Sequence, residues 1–511
     1  MHRPDQHHAL QHDERRTRGD GQRPSRRHVL GLAAGAAGVL LGPAAGASAV
    51  GAALSGSSSS GVAGAVGEPL REPPVLRSRD GVLDVTLRAA PTTTTVGGAT
   101  WHVLGYEGGF PGPTLLVHPG DSMRVRLVND LGATTNIHTH GLHVSGEGDG
   151  DNVFRQVAPG TEAAYRIDLR PDHHPGTNWY HPHSHGDGAR QLFAGLAGAL
   201  VVQSPREAAL EQRGLRDRVL LLHSTQVGPD GHVLDPLRVR QDGHVRLVNG
   251  QLQPTIDIRP GETQRWRLVN TTVNDVLRLQ LPGLEVRQVA ADGSPYRRPV
   301  PVTEVRLAAG QRADLLVTAT EAGTTELLTA AFDVGLGVVL PAARLATVRC
   351  EGRAVARGRV PVAALLQPWH DLRTEHVDRR RHVTMNLFGM DGRPFDHDRV
   401  DQVVALDSLE EWTVHNPTGL VHPFHIHVNP FQVTHVDGVP VDSPSYEDTV
   451  LVGKEGGSVT FLTRFRHFTG RAMYHCHFST HSDLGMMAVA HILGPDDPPL
   501  PEPDLGGGHH H

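Results

Sequence analysis

The segment from His475 to Met486 constrains this chain more than any other. It reads His-Cys-His-Phe-Ser-Thr-His-Ser-Asp-Leu-Gly-Met. Alternate side chains of an extended strand point to opposite faces, so His475 and His477 should face one way and Cys476 the other. His481 and Met486 follow Cys476 by five and ten residues. We expect both to fold back and complete a His₂Cys site with a weak axial Met, the ligand set of a blue-copper electron-transfer centre.

Histidine pairs with one intervening residue recur along the chain. Because the 511 residues include 35 histidines, one His-x-His triplet alone carries little information. Four such pairs are candidates for a shared site: His138 with His140, His181 with His183, His425 with His427, and His475 with His477. Side chains at i and i+2 of a strand lie about 6–7 Å apart on one face, which suits two neighbouring ions better than one. Convergence of all four pairs would supply eight imidazoles, enough for three copper ions with open positions for dioxygen.

His422 precedes His425 by three residues and therefore belongs to a different site. It is the natural second imidazole for a copper ion bound to Cys476, together with His481.

Two other interpretations apply to the histidine pairs when each is taken alone. A pair can be a surface or hydrogen-bonded pair, and four imidazoles can bind zinc. Neither interpretation explains four pairs together with a cysteine between two histidines and a methionine ten residues later.

These motifs occur in the same order as in the multicopper oxidases, and the chain resembles the laccase-like, three-domain bacterial type from about residue 75 to 495. The resemblance implies four copper ions: one type 1, one type 2 and a type 3 pair. The implied type 1 ligands are His422, Cys476 and His481, with Met486 axial, and the implied type 2 ligands are His138 and His425. The implied type 3 ligands are His140, His181 and His477 on one ion and His183, His427 and His475 on the other.

The resemblance also implies a proton-delivering carboxylate near the copper ions. Asp149 lies eleven residues after His138, where the family commonly has this group. Asp149 is flanked by glycines, so it could instead simply form a turn. A second acidic residue often follows the last type 1 histidine directly, but Ser482 occupies that position and Asp483 comes next.

An internal repeat predicts the fold. The segment 113–121 leads into Arg-Leu-Val-Asn at 126–129, and 254–262 leads into Arg-Leu-Val-Asn at 267–270; a weaker copy spans 406–416. Each copy reads as a strand, a turn and an alternating strand. Three copies at domain spacing predict three similar β-sandwiches, and the resemblance makes the chain all-β with three consecutive cupredoxin-like Greek-key domains.

We predict domain 1 at residues 70–205, domain 2 at 206–352, domain 3 at 353–497 and a polar tail at 498–511. The candidate ligands fall in domains 1 and 3, so a cluster of their histidines should lie between these two domains. Domain 2 has no metal motif and is expected to act as a spacer that walls the substrate cleft.

The N-terminal residues predict export. Arg26-Arg27 precedes a Gly/Ala/Leu stretch and a small-residue cleavage site, so residues 1–49 resemble a twin-arginine signal and 50–69 a flexible linker. The destination would be periplasmic, cell-surface or extracellular. Pro43 interrupts the apolar stretch, which argues against a stable membrane anchor.

Charge and cysteine content narrow the function further. A net charge of −7 offers no general affinity for nucleic acid. Only two cysteines are present, so Cys350 is left without a disulfide partner and is expected to be a buried free thiol.

The predicted function is one-electron oxidation of four reductant equivalents coupled to reduction of O₂ to water. The partners are then dioxygen and a small-molecule or metal-ion reductant, with phenols and aromatic amines favoured. Alternatives are a cuprous-ion or other metal oxidase in copper tolerance, which usually carries Met-rich insertions, and a metal-free cupredoxin-fold structural protein. The chain has seven methionines, none densely clustered, and it retains every expected ligand.

Overall fold

The structure is a computed structural model that describes residues 67–356 and 360–500. The predicted signal at 1–49, most of the predicted linker and residues 501–511 lie outside the described residues. Within the described ranges, the strands form three pairs of sheets, here called the first, second and third sheet pairs. In those ranges, no helix combines the length and apolar character needed to cross a membrane.

The first sheet pair lies between residues 75 and 202. Its strands are β1 (Val75–Arg77), β2 (Val82–Val96), β3 (Ala99–Tyr106), β4 (Thr114–Val117), β5 (Ser122–Asn129), β6 (His138–His140), β7 (Glu162–Asp168), β8 (Gly176–His181) and β9 (Gly198–Val202). One sheet has the order β1-β4-β9-β8-β6 and the other β3-β2-β5-β7. In β5, Met123, Val125 and Leu127 are buried while Arg124 and Arg126 are exposed, so one face of the strand enters the core.

The second sheet pair lies between residues 216 and 350. Its strands are β10 (Arg216–Thr225), β11 (Val245–Val248), β12 (Thr255–Ile258), β13 (Thr263–Asn270), β14 (Leu277–Gln280), β15 (Leu284–Ala291), β16 (Ser294–Pro301), β17 (Val305–Leu307), β18 (Arg312–Ala319), β19 (Gly323–Ala330), β20 (Phe332–Gly335), β21 (Val338–Leu340) and β22 (Ala343–Cys350). The sheets have the orders β11-β10-β13-β18-β15-β16 and β12-β22-β19-β14-β17, and β20 with β21 forms a separate hairpin. Cys350 is buried and free, as predicted.

The third sheet pair lies between residues 379 and 493. Its strands are β23 (Arg379–Asn386), β24 (Gly389–Met390), β25 (Gln402–Ala405), β26 (Leu409–Asn416), β27 (His422–Ile426), β28 (Phe431–Val436), β29 (Val439–Pro440), β30 (Thr449–Val452), β31 (Gly457–Arg464), β32 (Gly470–Cys476) and β33 (Met487–Leu493). The sheets have the orders β24-β23-β26-β31-β28-β29 and β25-β33-β32-β27-β30.

The internal repeat occupies the same place in each sheet pair. The repeat strands β5, β13 and β26 each pair in parallel with the first long strand of their unit, β2, β10 and β23. Each then pairs antiparallel with a later strand, β7, β18 and β31. The all-β prediction is therefore confirmed. The three sheet pairs fall within the predicted ranges 70–205, 206–352 and 353–497, whose ends stay predictions.

Short helices connect the strands. Among the described residues, the α-helices are α1 (Gly188–Phe193), α2 (Pro205–Gln212) and α3 (Ser479–Asp483), and 3₁₀ turns span Gln241–Gly243, Val362–Leu365 and Leu372–Thr374. Helix α2 begins after Ser204, whose hydroxyl accepts from the Glu207 backbone N–H while the Glu207 carboxylate accepts from the Ser204 N–H. Helices α1 and α3 pack against each other, which links the first sheet pair to the third.

Candidate metal centre

Paired strands carry the predicted histidines in both the first and third sheet pairs. Strand β6 runs antiparallel to β8 with His138 opposite His181. Strand β27 runs antiparallel to β32 with His425 opposite His475. Residues directly opposite in an antiparallel pair have Cα atoms about 4.5–5.5 Å apart, so each strand pair already concentrates imidazoles before the two units meet.

The structure brings all four His-x-His pairs together between the first and third sheet pairs. The eight side chains are buried, with at most 8% of the residue surface exposed: His138, His140, His181, His183, His425, His427, His475 and His477. His477 Nε2 lies 3.1 Å from His140 Nδ1. His475 Nε2 lies 3.1 Å from His183 Nε2 and 3.2 Å from His427 Nε2. Residues far apart in sequence therefore converge on one buried volume.

In several of these rings, one nitrogen is hydrogen-bonded to a protein atom and the other nitrogen is left for a ligand. The His181 and His475 Nδ1 atoms lie 2.9 Å from the carbonyl oxygens of Pro182 and Cys476. The buried Nε2 atoms of His138, His181 and His425 have no hydrogen-bond partner among the described residues. A buried polar atom without a partner is costly, so these atoms mark where a ligand would bind.

The protonation of the cluster suits metal binding. Burial, reinforced by the neighbouring imidazoles, lowers the pKa of these ring groups: His140, His181, His183, His425, His427, His475 and His477. These imidazoles are therefore neutral at pH 7. A neutral ring offers a lone pair to a metal ion without first releasing a proton.

Cys476 lies on the face of strand β32 opposite to His475, near two further imidazoles. Its Sγ is 3.6 Å from His422 Nδ1 and 3.7 Å from His481 Nδ1, and the two nitrogens are 3.1 Å apart. The Cys476 N–H donates to the Met486 carbonyl, so the loop folds back and buries Met486 in the same core. Thr418 Oγ1 lies 2.8 Å from His422 Nε2 and orients that ring.

Burial sets the ionisation of this second group as well. Burial raises the pKa of the Cys476 thiol far above its ordinary value and lowers that of His481 to about 4. Without a metal ion the sulfur therefore keeps its proton. A thiolate forms here only when a bound cation displaces that proton.

Asp149, the predicted proton carrier, does not reach the histidines. Its side chain is 77% exposed and forms an ion pair with Arg155. Two residues later, Asp151 is buried: its Oδ2 lies 2.8 Å from His138 Nδ1, and its Oδ1 accepts from the Thr139 N–H at 2.7 Å. The chain turns back between the two acids, so that only the second points inward.

The sequence interpretation missed two carboxylates that contact the cluster. Asp151 belongs to the same Gly/Asp run as Asp149, and the spacing argument named only Asp149. Asp448 lies 3.0 Å from His140 Nε2 through Oδ1 and 2.7 Å from His425 Nδ1 through its carbonyl oxygen. No histidine lies within ten residues of Asp448 in the sequence, so spacing gave no signal for it.

Asp483 occupies a half-buried position at the contact between α3 and α1. Its two carboxylate oxygens accept from the Gly186 N–H at 3.1 Å and the Ala189 N–H at 2.8 Å. Burial raises its pKa to about 7. Asp483 lines a cavity of about 20 Å³ together with His183 and His475. A cavity of this size can hold a molecule of the size of water beside the cluster.

Comparison with known proteins gives a consistent result along the chain. The multicopper oxidase family matches residues 88–207, 177–332 and 367–493. The chain belongs to the multicopper oxidase family. It is therefore a copper-dependent oxidoreductase, and the family as a whole uses dioxygen and reducing substrates.

Individual multicopper oxidases resemble the chain at moderate identity. A multicopper oxidase of Staphylococcus epidermidis is 28% identical over 399 residues, covering 76% of this chain and 83% of that protein. A laccase of Bacillus subtilis is 25% identical over 471 residues, covering 76% and 90%. The cell division protein FtsP of Sodalis glossinidius is 29% identical over 406 residues, covering 75% and 83%.

Solved structures confirm the predicted fold class. A multicopper oxidase from Campylobacter jejuni, described as a metallo-oxidase, has a TM-score of 0.74 and 25% identity and covers 84% of this chain and 95% of that one. The three sheet pairs of the present chain are thus consecutive cupredoxin-like β-sandwiches, as in this multicopper oxidase.

The donor atoms of this chain fit the copper that the family implies. Imidazole nitrogen suits copper, and a His₂Cys group with a nearby methionine is the donor set of a blue-copper centre. The buried Nε2 atoms without partners and the thiol between two Nδ1 atoms are the kinds of donor that such ions require.

Proposed function

We propose that the protein binds four copper ions and couples the one-electron oxidation of four reductant equivalents to the four-electron reduction of O₂ to water. The observation that carries this proposal is the position of Cys476. Its sulfur faces His422 and His481, while His475 and His477 on either side of it face the buried histidine cluster. One residue's backbone therefore joins two groups of donors.

In this proposal each group of donors holds its own copper ions. His422, Cys476, His481 and Met486 would hold the type 1 ion, and His138 and His425 would hold the type 2 ion. His140, His181 and His477 would hold one ion of the type 3 pair, and His183, His427 and His475 would hold the other. The convergence of His183, His427 and His475 supports the last group, since the Nε2 atoms of the first two lie within 3.2 Å of His475 Nε2.

The chain supplies a short path between the two groups. When bound, copper supplies the redox chemistry, while the protein sets the ligands, the potential and the access. The backbone of Cys476 leads directly to both neighbouring histidines. A second connection runs from the Cys476 carbonyl oxygen to His475 Nδ1, 2.9 Å away.

We propose that Asp151, and not Asp149, is the carboxylate that acts on the cluster, since Asp149 faces solvent. Asp151 Oδ2 accepts the Nδ1 proton of His138 and thereby presents Nε2 of that ring to the cluster. A carboxylate that holds a ligating histidine in this way fixes the ring tautomer and raises its basicity.

Two exposed apolar side chains near the segments that carry the type 1 donors support small aromatic reductants. Leu336 is 58% exposed and packs near Gly419 in the loop before His422, and Phe388 is 41% exposed and adjoins Gly485 beside Met486. We infer that these two apolar side chains offer contacts to an aromatic reductant near the type 1 donors. In the described part of the chain every methionine is buried, so no thioether is exposed to bind a cuprous ion.

The competing functions can be separated by direct measurement. Oxygen uptake with a phenol and with Cu(I) tests the reductant, because the Campylobacter jejuni protein is described as a metallo-oxidase. We expect the phenol to be oxidised at the higher kcat/KM, and a preference for Cu(I) would contradict that expectation. Copper analysis tests the metal-free alternative, since one similar protein is named a cell division protein and not an oxidase.

Export through a twin-arginine signal is part of the proposal. Residues 1–49 would then be absent from the secreted protein. N-terminal sequencing of protein recovered outside the cytoplasm should begin near Val50. Secreted protein that retains Arg26-Arg27 would contradict it.

A further inference from the structure

The second sheet pair has no His-x-His motif, yet one segment of it reaches the histidine cluster. Two residues before β18, Gly310 lies against the His477 ring: a Cβ at Gly310 would be 2.7 Å from His477 Cδ2. Next along the chain, Gln311 Nε2 donates to the Thr449 carbonyl at 2.9 Å. The segment 310–312 therefore contacts the third sheet pair beside the candidate ligands.

Arg312 joins all three sheet pairs. Its side chain is fully buried, and its Nη1 and Nη2 atoms donate to the two carboxylate oxygens of Asp448 at 2.8 and 2.6 Å. Its Nε donates to the Thr177 carbonyl in the first sheet pair at 3.2 Å. Gly141 follows His140, and a Cβ at this position would collide with the Arg312 guanidinium. Only glycine therefore leaves room for Arg312 here. A planar, bidentate guanidinium fixes both the position and the plane of a carboxylate.

Asp448 transmits this geometry to two candidate ligands. Its Oδ1 lies 3.0 Å from His140 Nε2, and its carbonyl oxygen lies 2.7 Å from His425 Nδ1. Burial opposes ionisation, but Arg312 and then His140 hold the pKa of Asp448 well below its usual range. The two rings thus hydrogen-bond to Asp448 through one nitrogen and direct the other toward the cluster.

Asp292 completes the arrangement from the turn between β15 and β16. Its Oδ1 accepts from the Arg312 backbone N–H at 2.9 Å. Its Oδ2 accepts from the backbone N–H groups of Thr449 and Asp448 at 3.1 and 3.3 Å. Asp292 therefore ties the strand that carries Arg312 to the segment that carries Asp448.

We propose that Arg312 and Asp292 are positioning residues for the type 2 and type 3 copper sites, so that the second sheet pair completes the cluster and is not a spacer. They act through Asp448, which sets the rings of His140 and His425. This inference rests on the proposed ligand set. A role in stability alone is a weak explanation, since replacing a buried ion pair by apolar groups is often neutral or stabilising.

Copper-loaded Arg312→Met and Arg312→Lys test the inference. We expect Arg312→Met to lose type 2 copper to a chelator about 10–100-fold faster and to show altered type 2 hyperfine splitting in electron paramagnetic resonance, with the blue absorption unchanged. Lysine carries the charge without the bidentate fork, so Arg312→Lys should be intermediate. Arg381→Met is the matched control, because Arg381 is also buried but pairs with Glu410, Gln402 and the Val403 carbonyl.

The outcomes separate this inference from the proposed function. If the unmodified protein binds no type 2 copper, the proposed function fails. If it does and Arg312→Met keeps the normal signal and retention, the positioning role fails. The same failure follows if Arg381→Met alters the type 2 signal as much as Arg312→Met does. Should Arg312→Met not accumulate as folded protein, the isosteric Asp292→Asn decides: altered type 2 splitting supports the role, and an unchanged spectrum and retention overturn it.

Discussion

Asp149 and Asp151 differ by two positions in sequence and by their whole surroundings in the structure. One is a solvated partner of Arg155 and the other holds the Nδ1 proton of His138. We expect Asp151→Asn to lower the rate of oxygen consumption about 10–100-fold, because loss of a carboxylate that orients a ligating histidine costs that much.

Asp149→Asn is the matched control for this substitution. It should leave oxygen consumption close to normal, since the exposed Asp149 carboxylate pairs with Arg155 and lies away from the histidines. Measurement of oxygen uptake with one phenol at saturating concentration compares the two variants. The reverse pattern, with Asp149→Asn slow and Asp151→Asn normal, would contradict this assignment and support the prediction made from spacing.

Glu447 makes the stability of the copper-free protein depend on pH. Burial, with the carboxylates of Asp292 and Asp448, raises the pKa of Glu447 to about 8, while Arg306 and the Ser443 hydroxyl oppose the shift. The folded protein therefore keeps a proton that the unfolded chain releases above its ordinary value of 4.5. Stability is highest below that value and falls as pH rises toward 8.

The substitution Glu447→Gln should remove this dependence. We expect the Tm of copper-free wild-type protein to fall more between pH 5 and 8 than that of Glu447→Gln. The difference in unfolding free energy between them should change by at least about 1 kcal/mol over this range. Thermal unfolding followed by circular dichroism measures it, and parallel Tm curves for the two proteins would contradict the assignment.

At the scale of secondary-structure elements, the sequence predicted the strands that recur in the internal repeat and whose side chains alternate between two faces. The strands β5, β13 and β26 follow from the repeated turn and the alternating residues after it. The opposite directions of Cys476 and its neighbours follow from strand geometry alone. These features are local, so a single sequence contains them.

The sequence alone could not predict contacts between segments that are distant along the chain. The spacing of residues gives no reason to place Arg312 beside Asp448, because neither lies near a histidine in sequence. The inward turn of Asp151 depends on how its loop packs, which no periodicity reports. The sequence analysis therefore missed Arg312, Asp448 and Asp151, whereas the pairs of candidate ligands could be recognised as His-x-His motifs.

Gly310 gives a test of the contact between the segment 310–312 and the cluster. A Cβ at this position would lie 2.7–2.8 Å from three atoms of the His477 ring. We expect Gly310→Ala to displace that ring and lower copper content and oxygen consumption, the latter by about tenfold or more.

Gly283 provides the control, since it has a similar φ of +75° but no atom within 4 Å of the position that a Cβ would take. Both substitutions cost about 1–2 kcal/mol because alanine disfavours a left-handed conformation. Only Gly310→Ala should alter copper content measured by atomic absorption. Equal losses in both variants would show that backbone strain, not contact with His477, is responsible.

At the scale of the whole molecule, the site is an assembly of three β-sandwiches. The first and third sheet pairs supply the histidines, and Arg312 of the second reaches both the Thr177 carbonyl and Asp448. A ligand that binds only the folded arrangement stabilises it by mass action. Copper should therefore hold the three units together more tightly than their protein contacts alone.

Copper stoichiometry combined with the visible spectrum tests the central claim most directly. We predict close to four copper ions per chain and an intense thiolate-to-copper absorption, with Cys476→Ser losing that absorption and about one ion. Copper-reconstituted protein that stays colourless, or whose colour survives Cys476→Ser, would contradict the claim.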